Sequence, residues 1–189
     1  MVVGGRAQVY TAPVGTAFPA VTAAPSAPWS LLGTNGNKSI HEDGISIDWE
    51  GNINQVRPAG STGPIKAFRT SEGFSLGLTL LDMTLEQLSR ALGAGAAVTD
   101  AGASRSMGIY RGFNIEGYAV LVRWPSPYDE TADAQFQLPH AYFDASGSTK
   151  LSKNDVSGLP LKIVALVDPA AAEGEEFGLV VAEDPDLGT

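Results

Sequence analysis

Two stretches of strict period-two alternation flank a polar run, and no other feature of the chain limits its fold as tightly. From Gly44 onward, Ile45, Ile47 and Trp49 point one way while Ser46, Asp48 and Glu50 point the other. Phe74, Leu76, Leu78 and Leu80 then alternate with Ser75, Gly77 and Thr79. Successive side chains of a strand face opposite sides, so each stretch predicts a strand with one apolar face. Between them Gly51, Asn52, Asn54, Pro58, Gly60, Ser61 and Gly63 give a polar, turn-rich sequence. The pair predicts an extended hairpin carrying a long polar loop over residues 51–68. A loop of more than about a dozen residues is uncommon in a compact domain unless it serves a function.

The remaining pattern is mostly strand. Residues 109–115 lead to Gly117, where the parity of the alternation changes; Tyr118, Val120, Val122 and Trp124 then share a face. A glycine at such a switch predicts a β-bulge. Ala134, Phe136 and Leu138 predict another strand, as do Leu159 to Val167 and Phe177 to Val181. One helix is signalled over Leu85 to Leu92. Thr84 stands at its N-cap, Gln87 completes a capping box, Leu85, Leu88 and Leu92 form a stripe, and Gly93 follows as the stop. Residues 94–106 are small and polar and predict a loop. Seven or eight strands that do not alternate with helices exclude a doubly wound parallel sheet. The expected fold is mainly β. It has two packed antiparallel sheets, as a sandwich or partial barrel, with one short flanking helix.

Residues 1–40 read differently. Pro13, Pro19, Pro25 and Pro28 recur among small residues and forbid a long helix or a central strand. We expect an extended N-terminal arm, with one short strand at Gln8–Ala12, lying on its own domain or on a neighbouring subunit. Trp29 is the candidate anchor of that arm. At 189 residues the chain suits a single domain with a sizeable core. Its net charge of −9 is unevenly placed: residues 168–189 hold seven acids and no Lys or Arg. This acidic C-terminal segment reads as solubilising, and the balance argues against a broad basic face for nucleic acid. No apolar run is long enough to span a membrane, and no secretory leader pattern opens the chain. The expectation is a soluble protein.

Sequence signs of catalysis are weak. There is no cysteine, hence no thiol nucleophile and no Cys zinc site. Gly73-Phe74-Ser75-Leu76-Gly77 matches the G-x-S-x-G string, but strand alternation runs straight through Ser75, whereas a nucleophile elbow needs a sharp strand-to-helix turn. His41 and His140 are about 100 positions apart without ligand spacing. Trp49 and Trp124 lie in phase with apolar strand faces, which predicts core positions rather than sugar-stacking platforms. No cofactor motif is present, and we assign neither a catalytic nor a metal site.

The order of these pieces resembles the major tail, or tail tube, proteins of long-tailed bacteriophages, most closely those of actinobacterial phages. Residues Val9 to Pro19 are similar to that family's opening strand and proline turn. Trp29-Ser30-Leu31-Leu32-Gly33, Glu42-Asp43-Gly44-Ile45 and Lys66 to Gly73 follow in the family's order, and so does the helix. The resemblance implies a structural virion protein without turnover. Subunits would form rings, six-fold in the family, by joining one sheet side by side around a bore. Stacked rings would then make the tail tube around a tape-measure protein, with terminator and tip proteins at its ends. Viral double-stranded DNA would transit the lumen without specific binding. The location implied is the virion tail, and the host cytoplasm during assembly. Within that frame Asn54, Gln55, Arg57, Ser61 and Lys66 are the expected inter-ring residues. Asp48, Glu50 and Glu72 are the expected channel-facing ones. A capsid decoration protein and a carbohydrate-binding β-sandwich are the alternatives.

Overall fold

The computed structural model describes residues 7–93, 98–110, 112–129, 131–150 and 158–188. Its strands are β1 (Gln8–Pro13), β2 (Ser30–Leu31), β3 (Ile40–Val56), β4 (Lys66–Leu80), β5 (Thr99–Ala101), β6 (Ser104–Ser106), β7 (Tyr118–Pro125), β8 (Asp133–Asp144), β9 (Leu159–Ala165) and β10 (Leu179–Ala182); helix α1 spans Leu85–Ala91. Eight strands form one antiparallel sheet in the order β2-β1-β7-β8-β9-β4-β3, with β10 beside β8; β5 and β6 make a separate hairpin. The mainly β, antiparallel class with one helix is thus as the sequence indicates. The two layers arise from one sheet that curls over itself. Strand β8 permits the curl by changing neighbours: its first half pairs with β10 and its last residues with β9.

The core forms where the sheet meets itself. Leu76, Leu78 and Leu80 of β4 and Leu159, Leu161 and Ile163 of β9 pack with Val120 and Val122 of β7 and Leu138 and Phe143 of β8. Phe136 stacks on Trp124 at 4.7 Å between ring centroids and on Phe74 at 5.8 Å. Helix α1 packs on β8 and β9, with Leu88 and Ala91 against the core. Thr84 caps it by accepting from the Gln87 amide. The Gln87 side chain does not complete a capping box; it accepts from Arg90 instead.

Strand β7 is covered on both faces. Tyr118, Val120, Val122 and Trp124 face the main core, while Ala119 and Leu121 pack on the other side with Ala12 and Trp29. Residues 7–40 therefore lie on their own chain. Trp29 is 8% exposed, stacks near Phe18, and donates its indole N–H to the Ala17 carbonyl at 3.1 Å. The proline-spaced backbone cannot pair as a strand, so side chains satisfy it. Arg123 donates to the carbonyls of Ala23 (2.8 Å) and Ala20 (3.1 Å) and to Gln135 Oε1 (2.8 Å). Gln135 in turn donates to the Pro19 carbonyl at 2.9 Å. A second lock closes the arm's end. Gly33 adopts φ +81°, and a Cβ there would sit 2.7 Å from the Ser39 Cβ. The turn it makes brings the Thr34 amide onto the Asp82 carboxylate at the end of β4.

Five expectations differ from the structure, the first being that residues 99–106, read as part of a loop, hold the β5–β6 hairpin, whose backbone pairs without apolar side chains. Trp49 is 77% exposed rather than core. It does share the apolar face, opposite Phe74, but no second layer reaches that far along β3. The polar run 51–68 is a loop only at its centre, since β3 continues to Val56 and β4 begins at Lys66. Backbone pairing needs no apolar side chain, so the ribbon forms with its side chains exposed. Of residues 109–115, read as part of a strand run, none of the described ones lies in a sheet, and Arg111 lies outside the described residues. The register irregularity lies between Tyr118 and Val120 of β7, just beyond Gly117.

Two outcomes follow. Gln135→Ala removes an acceptor from a buried guanidinium and a donor from Pro19. Urea unfolding should show a loss of roughly 2–4 kcal/mol. For Asp82, partial burial works against the charged form. The Thr34 hydroxyl and amide and the Ser39 hydroxyl outweigh it, holding the pKa below the usual carboxylate value. A carboxylate depressed on folding contributes stability that is complete above its unfolded pKa of about 3.9 and is lost as pH falls through the folded value. Asp82→Asn should be less stable than wild type at pH 7, and the gap in urea midpoint should close on acidification.

Candidate subunit interface

The surface divides along the β3–β4 hairpin. Over Ile40 to Trp49, β3 belongs to the curled sheet; beyond Gly51 the two strands pair only with each other. The last pairing of β4 with β9 is Ser75 with Val164, so residues 66–74 have β3 as sole strand partner among the described residues. The outer edge of β3 is likewise unpaired along its 17 residues among the described ones. At the other edge, β2 covers β1 over only two residue pairs. A long, open edge strand is a template for pairing with another chain unless something blunts it.

The sequence-selected residues distribute as follows. Asn54, Gln55, Arg57, Ser61 and Lys66 are all exposed on the ribbon and its turn, with Arg57 donating to Gln55 Oε1 at 3.0 Å. Asp48 and Glu50 lie opposite Ser75 and Gly73 and so share one face of the sheet. Gly77 of β4 and Lys162 and Val164 of β9 continue that face, which is small and polar over β4. Glu72 lies opposite Gly51, on the other face with Trp49, and is ion-paired to Arg69. The three carboxylates therefore cannot line one surface together. Ser75 sits inside β4, 9% exposed and paired on both sides, with no turn that would present its hydroxyl. His41 pairs with Asp43 at 2.9 Å, and His140 stands beside Gly117. No cluster of three metal-capable side chains occurs among the described residues.

Sequence reasoning overlooked two groups. The first is the set of apolar side chains on the ribbon: Ile53, Val56, Ile65 and Phe68 are exposed, Ile53 in phase with Trp49 and Phe68 opposite Asn54 on the other face. Their signal was the scatter of large apolar residues inside a run that reads as polar. The second is the Arg123–Gln135 clamp, whose signal was the unbroken apolar run 119–122. Four consecutive apolar residues in a strand mean cover on both faces, and Arg123 continues the second face.

A β protein with an open edge, a projecting ribbon bearing exposed apolar side chains and a small, polar sheet face is built to associate with other chains. Comparison supplies the family. The family model for phage tail tube proteins matches residues 1–179, and the chain belongs to that family. A search of curated proteins finds no match. Membership makes the protein a structural component of the virion tail, in a family whose members self-assemble.

The exposure of Trp49 carries its own expectation. Trp49→Ser in the isolated chain should shift stability by no more than about 0.5 kcal/mol, as for other solvated positions. Iodide should quench Trp49 emission in wild type and leave that of Trp29 unchanged.

Proposed function

We propose that the chain polymerises as stacked six-fold rings into the tail tube through which viral DNA is delivered. The observation that carries this reading is the open β3 edge, continuous with an uncovered ribbon, on a chain of the tail tube family. Joining that edge to a neighbour would give the free N–H and C=O groups partners and close the sheet into a barrel without edges. The face bearing Asp48 and Glu50 is the one we assign to the bore. Asp48 and Glu50 outnumber Lys162 on that face, so it would hold phosphate weakly and double-stranded DNA would pass without specific binding. Glu72, on the opposite face, belongs to the ring exterior or a subunit contact.

The ribbon with its turn over residues 57–65 makes the inter-ring contact in this reading. Asn54, Gln55, Arg57, Ser61 and Lys66 supply polar contacts; Ile53, Ile65 and Phe68 supply area. Tape-measure, terminator and tip proteins are the remaining partners, and the tube resides in the virion tail after assembly in the host cytoplasm. The mechanism is association alone, without turnover or cofactor. Deleting Asn54–Gly63 tests it. The variant should keep its β-type circular dichroism and fail to form tubes in negative-stain images. Tubes of ordinary length from the deleted chain would refute the assignment.

A further inference from the structure

The segment between β6 and β7 carries four strongly exposed large apolar side chains. Ile109, Tyr110, Phe113 and Ile115 are 77%, 84%, 100% and 65% exposed. Its two ends are fixed on one side. Arg105 bonds Glu86 of α1 at 2.8 Å, and Glu116 accepts from the Tyr118 hydroxyl at 2.6 Å. At the other end of β7 lies an apolar groove of about 540 Å³, walled by Ile45, Ile47, Leu76, Val122, Trp124 and Phe136. Six residues separate Tyr118 from Trp124, roughly 20 Å of strand.

We propose that Ile109, Tyr110, Phe113 and Ile115 of one subunit seat in this groove on a second copy of the chain. This deepens the tube reading and rests on it, since it names a donor and an acceptor for one contact between subunits. Three arguments select a second copy. The first is composition: Ile109, Tyr110, Phe113 and Ile115 lie uncovered among the described residues, and the groove offers apolar walls. The second is area. An aromatic side chain buries roughly 150–250 Å², so Tyr110 and Phe113 alone supply on the order of 400 Å². A stable interface needs about 800 Å² per partner, so the two rings provide about half of one side and Ile109 and Ile115 add to it. The third is position. Donor and acceptor on opposite ends of one strand make a head-to-tail contact, which closes into a ring or extends as an open stack according to its rotation. Such a contact suits subunits that add along an axis in a self-assembling family.

The full chain contains no cysteine, so single thiols report without background. Phe113→Cys and Ile47→Cys are made separately, and Phe113→Cys/Ile47→Cys together. All three are oxidised with copper–phenanthroline under conditions scored in parallel for tubes by negative stain. We expect a disulfide-linked dimer from the mixed single variants and a ladder of multimers from the double variant. Tubes without any cross-link would overturn this contact and leave the tube reading standing. Cross-links without tubes would support the contact and count against the tube. A double variant that closes only on itself would assign the groove to its own chain and overturn the second-copy assignment. Because Phe113 is fully exposed, Phe113→Asp should fold normally and weaken self-association by about tenfold or more, read by sedimentation. Unchanged association would also overturn the proposal.

Discussion

Where β4 loses β9 as a neighbour, the molecule changes character, and most of its other properties trace to that point. From Ser75 to Leu80 the strand is paired on both sides, and its Leu76, Leu78 and Leu80 are buried in the curled sheet. Over residues 66–74 it has β3 as its sole strand partner among the described residues. A two-stranded ribbon is marginal by itself in water, since hydrogen bonds between exposed backbones contribute little net stability. It persists here because its root is clamped in a packed sheet. The same chain thus builds a folded body and an uncovered extension from one continuous pair of strands, without a domain boundary between them.

That continuity explains what was legible in the sequence and what was not. Period-two alternation reports the phase of a side chain. It does not report whether another layer faces it. Phe74, Leu76, Leu78 and Leu80 were read correctly in phase and in burial because β7, β8 and β9 happen to lie opposite. Trp49 was correct in phase and wrong in burial because nothing lies opposite it. Residues 51–56 were read as loop for the complementary reason: with neither face covered, selection for alternation is absent although the backbone pairs. Residues 109, 110 and 112–115 show the third case, a run read as strand in which none of the described residues is paired. The Thr84 cap was readable because it is local; the Arg123–Gln135 clamp was not, because it satisfies carbonyls about 100 positions away.

The arm illustrates how a proline-spaced segment is held without secondary structure. Buried backbone carbonyls need partners, and a segment that cannot enter a ladder must find them on side chains. A guanidinium is suited to this, with several donors in a fixed fork, and Gln135 both accepts from it and donates to the arm. The clamp sits on the face of β7 opposite the main core, so the arm acts as a second layer for that strand. Residues 7–40 are consequently part of the body, and the segments free to meet other subunits are the ribbon and the segment before β7.

Exposing Trp49, Ile53, Phe68, Tyr110 and Phe113 to solvent invites aggregation, because large apolar patches associate without specificity. The charge distribution bears on this. Of the net −9, most resides in the last 22 residues, while the body is close to neutral. A like-charged segment on every copy opposes random collision over about a Debye length, roughly 8 Å at physiological salt. Short-range contacts of matched shape overcome that repulsion only when several form at once. Encounter in arbitrary orientations is thereby penalised while the aligned one, with edge, ribbon and groove engaged together, is not. Specific addition of subunits then depends less on the strength of any one apolar contact than on the simultaneity of all of them.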